Sequence, residues 1–141
     1  MIVDIVTPSR RLRSVQNEDV RLPADCSHII VPGREGEFEV GPGHAPFLTL
    51  LGTGLLTLET GGRTVKLMVS GGFCEVDRER VTVMCETAAL PEEVQVDAVQ
   101  SGLQAVEKKL SELGAASTED ESFQRLRTEA ERAASQLRLV R

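Results

Sequence analysis

The chain has 141 residues, 40% of them hydrophobic and 27% charged, enough for one globular domain with a small appendage; with four Phe and no Tyr or Trp, its core must be built from Val, Leu, Ile and Ala. A net charge of −6 argues against a nucleic-acid binder, whose phosphate contacts need clustered cations. No run approaches the roughly 18 apolar residues of a membrane helix, the start "MIVDIVTPSRRLRS" lacks the cationic and apolar regions of a secretory signal, and Cys26, Cys74 and Cys85, without CxxC spacing, read as thiols of a reduced cytoplasmic protein.

Residues 1–88 read as β structure. Short apolar runs follow one another: "IVDIV" (2–6), "HIIV" (28–31), "EFEV" (37–40), "FLTLL" (47–51), "LLTLE" (55–59), "TVKLMV" (64–69), "FCEV" (73–76) and "RVTVMCE" (80–86). Val65, Leu67 and Val69 alternate with Thr64, Lys66 and Met68, and Val81, Val83 and Cys85 with Thr82, Met84 and Glu86, so each run has an inner and an outer face. Gly33, Gly36, Gly41-Pro42-Gly43, Gly61-Gly62, Gly71-Gly72 and Asp77 punctuate them as turns. "TGGR" between two alternating runs predicts a hairpin, because paired glycines accept the positive φ of primed turns. Many short strands at this spacing point to a sandwich or a barrel.

The pattern changes at "LPEE". Val99, Leu103, Val106, Leu110 and Leu113 make one stripe at helical spacing, and Phe123, Leu126, Ala130, Ala133, Leu137 and Val140 another. Pro91 with Glu92 and Glu93 supplies helix-start chemistry, Gly114 a stop, and Thr118 with Glu121 the spacing of a capping box. Residues 91–141 are therefore predicted to form an antiparallel hairpin of two helices, roughly 22 and 18 residues long. Narrow, Ala-rich stripes bury modest area, so such a hairpin needs the β domain, a partner or a ligand to settle it.

Catalytic signatures are missing. No glycine-rich loop leads into Gly-Lys-Ser/Thr, and Ser70 in "VSGGF" lacks the Gly-x-Ser-x-Gly frame, reading instead as a small residue of a turn. His28 reads as a partly buried strand residue, Cys74 and Cys85 as core thiols, and the two histidines are too scattered for a zinc site. Near the C-terminus Arg125, Arg127, Arg132, Arg138 and Arg141 face only Glu129 and Glu131. This excess of cations is either a solvated helix face or a surface for an acidic partner.

"VDIVTPSRRL", "PGREGEFEVGPGHAPFLT", "VSGGFCEV", "RVTVMCETA" and a helical end "SQLRLV", in this order, resemble the ε subunit family of F-type ATP synthases over nearly the whole chain. The resemblance implies a β + α fold: an N-terminal β-sandwich of about ten strands (1–88) and a C-terminal antiparallel αα-hairpin (91–141). It implies a non-catalytic rotor subunit at the cytoplasmic face of the bacterial inner membrane, peripheral and without a metal. The sandwich of that family binds the gamma subunit and sits on the c-ring. Its hairpin either folds down or extends toward the catalytic beta subunit, where it restrains ATP hydrolysis. The partner-facing turn maps onto Gly36, Glu37, Glu39, Pro42, Gly43, His44, Ala45 and Pro46, with His44 as a packing and hydrogen-bonding residue. The inhibitory basic face maps onto Arg125, Arg127, Arg132 and Arg138.

The chain departs from the family pattern at three places. "NEDVRLPADC" (17–26) is an insertion, and Glu39 stands where many members carry Gly. Some bacterial relatives bind ATP through Asp-x-x-Arg-Ala on the first helix and arginines on the second. Here Asp97 and Arg132 match, but Gln100 and Gln136 replace arginines and bring no charge to phosphate, so ATP is not expected as a ligand. A second reading, an ε-like sandwich adaptor with a helical arm in a different assembly, shares the same fold.

Overall fold

The computed structural model describes residues 1–13, 22, 26–60, 62–114 and 121–141. Among them lie eight strands: β1 (Ile2–Val6), β2 (Arg11–Arg13), β3 (His28–Gly33), β4 (Gly36–Val40), β5 (Phe47–Leu50), β6 (Thr53–Thr60), β7 (Arg63–Asp77) and β8 (Arg80–Ala89). A single 3₁₀ turn at Pro91–Glu93 then leads to α1 (Val96–Leu113) and α2 (Glu121–Val140). The strand order is β2-β1-β8-β7-β6-β3-β4, with β5 also on β7; β1 and β8 run parallel and the other pairs antiparallel.

The long strand β7 organises the sheet. The hairpin predicted at "TGGR" closes at Thr60↔Arg63, and from there β6 and then β5 follow β7 end to end in one register, as far as Phe47↔Val76. Leu51 N–H donates to Gly72 O (3.0 Å) and Gly71 N–H to Gly52 O (3.4 Å), bridging the gap between β5 and β6. The sequence reading placed a turn at Gly71-Gly72, but the chain passes straight through as one strand. These glycines take φ of 73° and 100°, left-handed values that cost an ordinary L-residue energy. The result is a corner rather than a reversal.

Burial changes phase at this corner. Leu67 and Val69 point inward before it, Cys74 and Val76 after it, and all four join one core with Ile29, Val31, Leu56, Leu58, Val3, Ile5, Val81 and Val83. The sheet therefore folds over on itself and encloses a single apolar interior. Cys74 and Cys85 are buried thiols, as expected. Met68 and Ser70 are wholly buried yet lie on the opposite face of β7 from Leu67 and Val69, on the side where α2 packs across β6 and β7.

The helices differ from expectation at their start. Pro91, Glu92 and Glu93 make a separate turn, in which Glu93 Oε1 accepts the Leu90 N–H (2.8 Å). A Thr7 to Arg10 turn, closed by Thr7 N–H to Arg10 O (2.9 Å), aims Arg10 at this point. Its guanidinium grips both Glu93 oxygens and the Ala88 carbonyl (2.6 Å). This distant arginine diverts Glu93 from the helix, and α1 begins at Val96. Gly114 follows Leu113 as the C-cap, as predicted. The capping box proposed at Thr118 and the insertion 17–26, apart from Leu22 and Cys26, lie outside the described residues.

Candidate functional site

The β3–β4 hairpin is closed at Gly33↔Gly36, and Gly36 takes a φ of 132° at its tip. Period-2 alternation along the edge strand β4 leaves Glu37 and Glu39 exposed, Phe38 half-buried and Val40 buried. After it, His44 N–H closes a turn onto Gly41 O (3.3 Å), with Gly43 at φ 75° and Pro42, Gly43, Ala45 and Pro46 exposed. His44 Nδ1–H donates to the Ala45 carbonyl (2.9 Å), and its ring lies 5.0 Å from Phe47, which meets Phe38 edge to face at 5.3 Å. The histidine thus staples a rigid turn to the sheet. Among the described residues no three His, Cys, Asp or Glu side chains converge as a metal site.

Beside this turn lies a surface that the sequence reading missed. Leu50, Phe73, Met84 and Val6 stand side by side across four strands in register. Leu48 is 65% exposed, Leu50 52% and Met84 42%. Arg34 N–H donates to Leu50 O (3.0 Å), and Arg34 and Glu35 wall a shallow groove over Leu48, Leu50 and Phe73. The surface is thereby continuous with the Gly36 tip. The signal was present in "FLTLL": apolar residues at consecutive positions leave apolar side chains outside whichever face turns inward.

The arginines of α2 do not form one face. At about 100° per residue, Arg125 and Arg132 share one side and Arg127 and Arg138 the opposite one. Arg125 pairs with Glu121 (3.8 Å), Arg127 with Glu131 (3.4 Å), and Arg138 donates to Ser135 Oγ (3.0 Å). Arg132 turns to the sheet, donating from Nε to Ser70 Oγ (2.7 Å) and from a terminal nitrogen to Glu86 (2.6 Å). Ser70 is therefore a buried partner of α2 inside β7, not a turn residue. His28, placed partly inside by the sequence reading, opens β3 exposed, its Nδ1 3.3 Å from Ser27 Oγ. Between the helices, Arg132 and Gln136 border a groove over Val99, Gly102 and Val106; Asp97, exposed in the first turn of α1, and Gln100 are not among its walls.

The model of the ATP synthase Delta/Epsilon chain β-sandwich domain matches residues 1–91. The ATP synthase epsilon chain of Geobacter metallireducens is 37% identical over 131 residues, covering 93% of this chain and 86% of its own. That of Anaeromyxobacter sp. (strain K) is 36% identical, covering 97% and 95%. The chain belongs to the ATP synthase epsilon chain family. An epsilon chain is a non-catalytic subunit of that complex. The same fold recurs at 19% identity in the cryo-EM structure of the Euglena gracilis mitochondrial ATP synthase OSCP/F1/c-ring assembly, with a TM-score of 0.76 over all of this chain and 81% of that one. A chain of the Tetrahymena thermophila central stalk/c-ring structure gives a TM-score of 0.51 over 68% of this chain and 70% of its own. No described helix of this epsilon-family chain is long and apolar enough to cross a membrane.

Proposed function

We propose that this epsilon chain is a rotor subunit of the central stalk, with residues 1–88 as the anchor and 91–141 as a regulatory arm. The observation that carries the reading is the apolar patch of exposed Leu48, Leu50 and Met84 around the half-buried Phe73, set against the stapled turn 41–46. An apolar strip on an otherwise completed sheet is best satisfied by a protein partner, and the gamma subunit fits it. Gly36, Glu37 and Glu39 lie at the adjoining tip and edge, and meet the polar loops of the c-ring. Pro42, Gly43, His44, Ala45 and Pro46 border the gamma contact. The assembly holds the chain at the cytoplasmic face of the bacterial inner membrane, and the arm, when extended, carries Arg125, Arg127, Arg132 and Arg138 toward the catalytic beta subunit.

The test is co-elution of the full chain with its cognate gamma subunit. Wild type binds, and Leu50→Asp or Met84→Asp, which alter exposed side chains outside the core, weaken binding by at least about tenfold by placing a carboxylate in an apolar contact. Unchanged co-elution of both variants would overturn the docking assignment.

A further inference from the structure

The second helix offers different chemistry to its two neighbours. Its apolar stripe, ending in the buried Leu137, follows the α1 side, where Ala133 faces Val99 and Val106. Toward the sheet it turns Gln124, Thr128, Glu131 and Arg132, which overlie Thr53 and Ser70 across an open cleft of about 890 Å³, with Ser135 buried a turn further on. Met68 is the buried apolar residue of β7 on that side. Polar residues over a cleft add little hydrophobic attachment, so the hairpin sits on the sheet largely through specific bonds.

Those bonds meet at one residue. Arg132 reaches Ser70 Oγ at 2.7 Å and Glu86 at 2.6 Å, while Ser70 Oγ shares a 2.7 Å hydrogen bond with Thr53. A Cβ on Gly71 would lie 3.0 Å from the Glu86 carboxyl carbon, so the glycine leaves room for Glu86 to lean across to the helix. The root of the hairpin is fastened separately, by Arg10 on Glu93 and Ala88. Between that clamp and α1 stand two extended residues, Val94 (φ −80°, ψ 120°) and Gln95 (φ −94°, ψ 96°), and α1 has no side-chain cap. Two uncapped extended residues between a pinned turn and a helix form a hinge.

We infer that Arg132, Ser70 and Glu86 form a releasable catch for the arm, that Val94–Gln95 is its pivot, and that the Arg10–Glu93 clamp keeps the root on the sandwich whether the arm is closed or open. This rests on the regulatory reading of the hairpin given above. The catch needs a guanidinium, because both Nε and a terminal nitrogen are used, and lysine offers one nitrogen. Glu86 is 69% exposed, so salt screens the pair and loosens the arm.

The test is pulsed electron paramagnetic resonance on the full chain, spin-labelled at Glu75→Cys on β7 and Arg125→Cys on α2, both exposed positions. The wild type gives predominantly one short distance. Glu86→Gln and Arg132→Lys each raise the long-distance fraction about two- to fivefold, the range of a half-exposed ion pair, and together add little more. Added salt raises that fraction in the wild type but not in Glu86→Gln. If both substitutions and salt leave the distances unchanged while Ser135→Arg, a wedge in the buried face, opens the arm, packing holds it and the catch is refuted, with the regulatory reading intact. If Ser135→Arg also leaves one distance, the arm does not leave the sheet and both fall. Hydrogen exchange in Ser135→Arg locates the pivot: Glu93 N–H, bonded to Leu90 O, exchanges as slowly as in wild type, and faster exchange there would place the hinge before the clamp.

Discussion

Replacing Gly72 by alanine probes the corner on which both faces of the sheet depend. A Cβ there would lie 1.9 Å from the Met84 carbonyl oxygen and 2.9 Å from its carbon, and both atoms belong to the backbone of β8. A flexible side chain could swing away, but a paired strand cannot. The φ of 100° adds about 1–2 kcal/mol for any L-residue. Relief requires parting the Gly72↔Cys85 and Phe73↔Met84 pairs, which loses about two ladder hydrogen bonds at about 1 kcal/mol each. The sum, about 3–4 kcal/mol, is a large share of the 5–15 kcal/mol that typically separates folded from unfolded domains. Gly62→Ala is the matched control: its φ of 88° carries the same backbone cost, but its Cβ meets nothing within 4 Å, so it should lose only about 1–2 kcal/mol. Urea unfolding followed by far-ultraviolet circular dichroism gives both values, since the chain has no Trp or Tyr for fluorescence. Equal losses for the two variants would refute the account of the corner.

Burial pushes the Cys74 thiol from the usual 9.0 to about 12, and burial also pushes Cys85 up, to about 11. The unfolded chain then releases these protons first, so stability is full below about pH 9, the ordinary thiol value, and falls as pH rises toward 11. Urea midpoints across that range should drop less in the Cys74→Ala, Cys85→Ala double variant, and equal slopes would contradict the assignment. Calorimetry at millimolar ATP should show no binding, because Gln100 and Gln136 bring no charge; a clear micromolar isotherm would refute this. Deleting residues 91–141 should raise ATP hydrolysis by the assembled complex, and an unchanged rate would sink the inhibitory role of the arm while leaving the anchor.

The strands were legible where one face met the core and the other met water, as in Val81, Val83 and Cys85 against Thr82, Met84 and Glu86. β2, three residues long, is too short to show a period. A glycine pair is the same local signal in "TGGR", where the chain reverses between Thr60 and Arg63, and at Gly71-Gly72, where it bends and continues. Only the distant register with β5, β6 and β8 separates these cases. The start of α1 was misplaced for a similar reason, since Arg10 lies far from Glu93 in sequence. The turn at 41–46 was legible as a turn because Gly and Pro carry their geometry locally. The apolar row and the Arg132 bonds were not, because each needs strands and helices that meet only in the folded chain.

The shared register of β5 and β6 on β7 also governs where this chain can change length. A one-residue deletion between 47 and 60 would exchange inside for outside on one side of the cut, turning Leu48 and Leu50 toward the core or Leu56 and Leu58 toward water. Insertions there meet the same obstacle. Connections off this ladder escape that inversion, and the one between β2 and β3 is among them, although Leu22 and Cys26 within it are buried in the core. A library of one-residue length variants should therefore fail between 47 and 60, and survive in the β2–β3 connection where Leu22 and Cys26 keep their places in the core.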